Sequence, residues 1–123
     1  MESTRQQKVA KLVQKDLSQV FIEEGSWIYG RVMVSITTVR ISPDLSVAKI
    51  YLSIFGAQNK KEIINKLNEH KPRIRFLLGQ RIKSQLRIVP ELIFYIDDSA
   101  EYAEKINSVL NNLHISGENE KNK

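Results

Sequence analysis

The sequence predicts an α+β domain: one small three-stranded sheet with helices packed on one of its faces. Three observations predict it. Two runs rich in β-branched residues are separated only by Ser42-Pro43-Asp44-Leu45, apolar residues at helical spacing flank them on both sides, and a third strand-like run follows after a long helical stretch. With 123 residues and 41% apolar side chains, the chain suits one domain with one core.

The first element is an amphipathic helix over residues 4–23. Val9, Leu12, Val13, Leu17, Val20 and Phe21 share one face, while Arg5, Lys8, Lys11 and Lys15 lie mostly opposite. Ser3 or Thr4 can cap it, because a hydroxyl accepts from the first unpaired amides. Gly25 is expected to end it, with a loop carrying Trp27 and Tyr29 as far as Gly30. Residues 31–42 then read as a strand, with Val32, Val34, Ile36 and Thr38 alternating against Met33, Ser35, Thr37 and Val39. Residues 47–55 form the next strand, and so short a turn between the two requires an antiparallel hairpin.

Asn59 is expected to cap a helix with Ile63, Ile64 and Leu67 on its apolar face. Pro72 interrupts that pattern, since it lacks an amide proton and clashes with the preceding turn. A further helix runs to about Ser84, with Ile74, Leu77, Leu78 and Ile82 facing inward. A third strand falls within residues 86–96, with Pro90 near its start or at an edge. Asp98 or Ser99 caps a last helix carrying Tyr102, Ile106, Val109, Leu110 and Leu113. The predicted order is therefore α-β-β-α-kink-α-β-α. The domain is expected over residues 1–115, and residues 116–123 (SGENEKNK) form a tail expected to be disordered.

Several function classes are disfavoured. There is no cysteine, so disulfides and thiolate metal sites are excluded, and a reducing, cytoplasmic setting is expected. Basic residues interrupt any apolar run near the start, so no signal peptide is expected, and no run approaches the roughly 18 to 20 apolar residues of a membrane span. His70 and His114 lie in no ligand spacing, Asp97-Asp98 is better explained by capping, and no phosphate loop, dinucleotide fingerprint or nucleophile elbow is present. No catalysis, metal, cofactor or small-molecule substrate is expected.

Charge points elsewhere. Lys and Arg total 19 against 14 Asp and Glu, a formal net charge of +5, which favours polyanionic partners. Residues 70–90 carry Lys71, Arg73, Arg75, Arg81, Lys83 and Arg87 with no acid at all. A solvated helix ordinarily mixes signs, because opposite charges at four-residue spacing stabilise it and like charges do not. The stretch reads as a phosphate-facing surface. The plainer reading is a basic face answered by acids elsewhere in the fold, such as Glu62. Arg73 and Arg75, two apart on a helix, point in different directions and are not expected to grip one phosphate together. Arg5, Lys8, Lys11 and Lys15 add a second basic patch. The candidate RNA-binding set is therefore Arg5, Lys8, Lys11, Lys15, Lys71, Arg73, Arg75, Arg81 and Lys83. Phe76 is expected in the core. Trp27 is either a stacking platform or a cover for the end of the core, and the second is favoured.

The chain resembles the ribosome-binding factor A family over residues 5–113. The resemblance rests on Ile36-Thr37-Thr38-Val39-Arg40-Ile41-Ser42-Pro43-Asp44-Leu45, on Ala48-Lys49-Ile50-Tyr51-Leu52-Ser53, on Ile74-Arg75 with Leu78-Gly79, and on Leu86-Arg87-Ile88-Val89-Pro90-Glu91-Leu92-Ile93-Phe94-Tyr95-Ile96-Asp97-Asp98-Ser99. It implies a type II K-homology-like fold and a monomeric, non-catalytic factor that binds the 30S small ribosomal subunit and its 16S rRNA during late maturation and rRNA processing. It also implies a kink beside the nucleic-acid surface. There the chain has His70-Lys71-Pro72 in place of the family's Ala-x-Gly, and Pro72 makes a kink by breaking the hydrogen-bond ladder. Within the last motif an architectural role is expected for all but Arg87. The alternative to RNA is a basic module docking an acidic protein.

Overall fold

A period of two along residues 47–55 decides which side of the sheet the helices cover. Ala48, Ile50, Leu52 and Ile54 are buried, whereas Lys49 and Phe55 are exposed. The computed structural model describes residues 2–97. In chain order it contains α1 (Thr4–Tyr29), β1 (Met33–Ile41), β2 (Val47–Phe55), α2 (Lys60–Glu69), α3 (Lys71–Ile82) and β3 (Glu91–Ile96). The sheet order is β1-β2-β3, with β2 central, antiparallel to β1 and parallel to β3. A parallel neighbour requires a crossover, and α2 with α3 supplies it. The core lies between the inner sheet face and the apolar stripes of the helices: Val13, Leu17 and Val20 of α1, Ile63 and Leu67 of α2, Ile74, Leu78 and Ile82 of α3. Each such side chain contributes about 1.5–3 kcal/mol of burial. The expected last helix and tail lie outside the described residues.

The first helix is longer than its sequence suggested. Ser3 caps it, accepting from the Gln6 amide at 3.1 Å while Gln6 Oε1 accepts from the Ser3 amide at 2.7 Å. It then runs through Gly25 to Tyr29. Gly25 is a packing residue, because a Cβ there would collide with Tyr29 Oη. The Tyr29 ring folds back along the helix, meeting Phe21 edge-on at 6.1 Å, and its burial raises the phenol's pKa. The residue that ends the helix is Gly30, at φ 83°, whose amide donates to Ser26 O at 3.1 Å. Trp27 and Tyr29 are therefore helical rather than in a loop.

Inward alternation along β1 also departs from expectation. The register steps from Ile36↔Leu52 to Thr38↔Tyr51, leaving Thr37 as a bulge. Val34 and Ile36 face the helices before it, and Val39 and Ile41, not Thr38, continue the inner face after it. Two glutamines of α1 fasten this edge strand on either side of the bulge: Gln14 Nε2 donates to Ile36 O at 3.2 Å and Gln6 Nε2 to Ile41 O at 2.8 Å.

The hairpin turn is built as its sequence predicts. The Leu45 amide donates to Ser42 O at 2.9 Å, and Leu45 takes a positive φ of 64°. Asp44 gathers the hydroxyls of Ser42 and Ser46, at 2.8 and 2.7 Å, and the Ser46 amide at 3.1 Å. These donors, the Ser46 hydroxyl first, lower its carboxyl from an ordinary 3.8 to about 2. The folded value is the depressed one, so the stabilisation is fully present above pH 3.8 and is lost as the pH falls through about 2. In acid titrations of stability, Asp44→Asn is expected to remove this part of the acid-induced loss. A variant whose stability falls with pH over that window as steeply as the parent's would show that the turn does not hold the charge.

Asn59 caps α2, accepting from the Lys61 amide at 3.0 Å. The kink expected at Pro72 is present: His70 ends α2 and begins α3, and Pro72 sits in the first turn of α3, where no amide partner is lost. The third strand falls within the expected stretch, over Glu91–Ile96, with Pro90 directly before its start. Proline cannot join a ladder, and the carbonyls just before β3 belong to a side chain: Arg75 donates to Val89 O at 2.8 Å and to Pro90 O at 3.1 Å. The strand's first ladder bond follows at once, Glu91 N to Ser46 O at 2.8 Å.

Candidate nucleic-acid interface

The helices α1 and α3 lie side by side and antiparallel. The Trp27 ring stands 5.1 Å from the His70 ring at one end of the pair. In the middle, Arg81 Nε donates to Asp16 Oδ1 at 3.1 Å. At the other end Arg5 and Lys8 share a shallow groove with Gln85 and Leu86, and Arg5 borders a second groove with Arg87. This arrangement joins the two basic patches read from the sequence only at that last end, where Lys83 and Arg87 follow α3.

The nine candidate cations separate into two groups. Arg5, Lys8, Lys11, Lys15, Arg73 and Lys83 are exposed, and among the described residues they have no salt-bridge partner, nor does Arg87. The remaining three are engaged. Arg75 clamps the two carbonyls before β3. Arg81 pairs with Asp16, which is nearly buried, and approaches Glu23 at 3.9 Å. Lys71 lies 3.9 Å from Glu91 and 5.8 Å from the centre of the Phe94 ring. The acids that answer the basic stretch are thus Asp16, Glu23 and Glu91, not Glu62.

The row on α1 has no stabilising explanation of its own. The first turn of the helix holds no acid and the last turn no base. Cations beside the positive N-terminal end of the macrodipole cost stability, as do like charges at three- and four-residue spacing. A helix selected for stability alone would reverse this pattern.

Two aromatic side chains differ from expectation. Trp27 is 52% exposed and Phe76 55%, so neither belongs to the core. Phe76 falls on the outer side of α3, between the inward Ile74 and Leu78, and Arg73 sits 5.9 Å from its ring centre. For Phe76 the signal was available, because its position is out of phase with the buried stripe. Trp27 offers none to a reading that ends the helix at Gly25.

Fold and surface together define a small α+β domain with an open, unanswered basic face and no metal-ligand cluster or membrane-length apolar helix among its described residues. The family model described as ribosome-binding factor A matches residues 5–110. A ribosome-binding factor A from Cytophaga hutchinsonii is 47% identical over 122 residues, covering 99% of this chain and 92% of that relative. The chain belongs to the ribosome-binding factor A family. Its fold is similar to the crystal structure of ribosome-binding factor A from Thermus thermophilus, with a TM-score of 0.63 at 19% identity over 74% of this chain and 94% of that one. It is also similar to a Thermus thermophilus homology model fitted into a cryo-electron-microscopy map of a complex with the 30S subunit, with a TM-score of 0.59 at 21% identity over 72% of this chain and 91% of that one.

Proposed function

We propose that this protein binds the 30S ribosomal subunit through 16S rRNA and assists late 30S maturation and rRNA processing. It does so as a cytoplasmic monomer, without catalysis or a cofactor. The observation that carries this reading is the cation row Arg5, Lys8, Lys11 and Lys15, set against its own helix dipole and extended by Lys83 and Arg87. In a member of this family, such a row suits phosphate contacts that position the protein while shape selects the RNA. Arg75, Arg81 and Lys71 then support the surface from within.

Purified small subunits titrated at several salt concentrations test this. Each phosphate neutralised on single-stranded RNA contributes about 0.7 to the slope of log affinity against log salt. Six contacts give a slope of roughly 4, and ribonuclease treatment of the subunits should abolish binding. An affinity unchanged between low and high salt would refute the reading.

A further inference from the structure

The helices cover one face of the sheet, and the other face carries more apolar surface than open solvent calls for. Tyr51 of β2 and Tyr95 of β3 stack there, with ring centres 5.2 Å apart and planes at 21°. Half-buried Val47 and Ile93 point the same way by strand alternation, and the cross-strand pair Met33 and Phe55 stands exposed at one end. A contiguous apolar patch of this kind marks a contact surface. On the same face Arg40 of β1 sits directly opposite Lys49 of β2, both exposed and without a salt-bridge partner among the described residues. Like charges so placed cost a sheet stability. The two cations border a shallow cavity of about 450 Å³ together with Glu2, Val47 and Tyr51.

The chain leaves the sheet toward this face. Past β3 the Asp97 amide donates to Leu52 O at 2.7 Å, and its carboxylate accepts from the Thr37 hydroxyl on β1, two strands away. Thr37 is the exposed bulge residue, so the Asp97 side chain crosses β2 on the side the helices leave uncovered. We propose that residues 98–113, which lie beyond the described residues, dock as an amphipathic helix over this outer face and make the sheet the middle of three layers. Tyr102, Ile106, Val109, Leu110 and Leu113 share one face at helical spacing, a stripe that complements Tyr51, Tyr95, Ile93 and Val47. As a helix, residues 99–113 span about 22 Å, and the nine residues of β2 span about 30 Å, so the stripe fits along the strands. Asp98, Glu101 and Glu104 outnumber Lys105, and that acid excess answers Arg40 and Lys49. Tethering to β3 gives the segment a high effective concentration at this face, ahead of any second copy. Docking also takes those two cations out of competition with the Arg5–Lys15 row.

The chain has no cysteine, so Ser108→Cys carries a single nitroxide, on the helical side away from the apolar stripe. In the full chain this label should broaden the amide signals of Lys49, Tyr51, Ile93 and Tyr95 more than those of Leu17 and Leu78 behind the core. Amides of residues 102–113 should exchange with solvent at least about tenfold more slowly than in an unfolded chain. Ile106→Asp with Leu110→Asp should abolish both effects while the signals of residues 2–97 keep their folded dispersion. Arg40→Glu with Lys49→Glu should lower the protection severalfold, because the segment's acids would then face two more. Residues 102–113 exchanging at unfolded-chain rates would overturn the proposal, as would protection unchanged by the double reversal on the sheet. So would broadening concentrated on α1 and α3, or broadening that vanishes when labelled protein is diluted into an excess of unlabelled protein, the sign of docking on a second copy.

Discussion

The triple variant Arg5→Glu, Lys8→Glu and Lys11→Glu is expected to lose small-subunit binding while melting no lower than the parent. All three side chains are exposed and without salt-bridge partners among the described residues. Their removal therefore leaves no buried charge behind. Against a phosphate surface, three reversals replace attraction by like-charge repulsion and cost several kcal/mol together. At 1.4 kcal/mol per tenfold, affinity should fall on the order of 100- to 1000-fold. The salt slope should shrink by about 2, at 0.7 per lost contact. Stability should move the other way, because an acid at position 5 completes the first turn of α1 and favours the macrodipole by about 0.3–1 kcal/mol. Opposite signs in the two measurements separate a binding role from a folding one. Binding within twofold of the parent would discard the row as the interface, and a melting temperature lowered by many degrees would mean that these cations serve the fold.

The second large effect belongs to Arg75, and it is one of stability. Arg75 and Arg73 are neighbours on α3, yet the structure gives them unrelated tasks. Arg75 makes two charge-assisted hydrogen bonds to Val89 O and Pro90 O, and Pro90 itself is buried. Hydrogen bonds to charged groups contribute about 1.5–3 kcal/mol each. Arg75 is only half-buried, so water recovers part of the loss in a truncated variant. Arg75→Ala should therefore destabilise by roughly 2–3 kcal/mol in urea melts, whereas Arg73→Ala should stay within about 0.5 kcal/mol. Arg75→Lys should recover little, since one ammonium lacks the planar fork that spans two successive carbonyls. A stability change below about 0.5 kcal/mol for Arg75→Ala would show that the segment before β3 holds itself without the clamp.

Local signals sufficed where local interactions decide. Strand β2 has the bounds its alternation predicts, the Asn59 cap and the Pro72 kink stand where expected, and the turn at residues 42–45 closes as its residue types require. Apart from Phe76, whose phase on α3 was readable, the misreadings share a cause: each depends on a partner distant in the chain or on the direction of one ring. Gly25 has the look of a helix end until the Tyr29 ring supplies a reason for a missing Cβ. The bulge at Thr37 is a property of the β1–β2 register. Strand β3 lies where it was expected, but the clamp on the carbonyls before it comes from Arg75, 14 residues before the first of them, and no local pattern shows it. The candidate site was legible as a list of cations but not as a surface. Arg81 could be separated from Lys83 only through Asp16, 65 residues away.

The long helix also has an electrical consequence. Its cations occupy the first half and Glu23 and Glu24 the last turns, in the same sense as the peptide dipoles. Over 26 residues, or about 39 Å, the two contributions add. Helix α1 is thus a polarised rod within the domain, and a polyanion would turn the molecule by it before touching it, bringing the N-terminal end of α1 forward during diffusion. Productive encounters would then be enriched by orientation as well as by net charge.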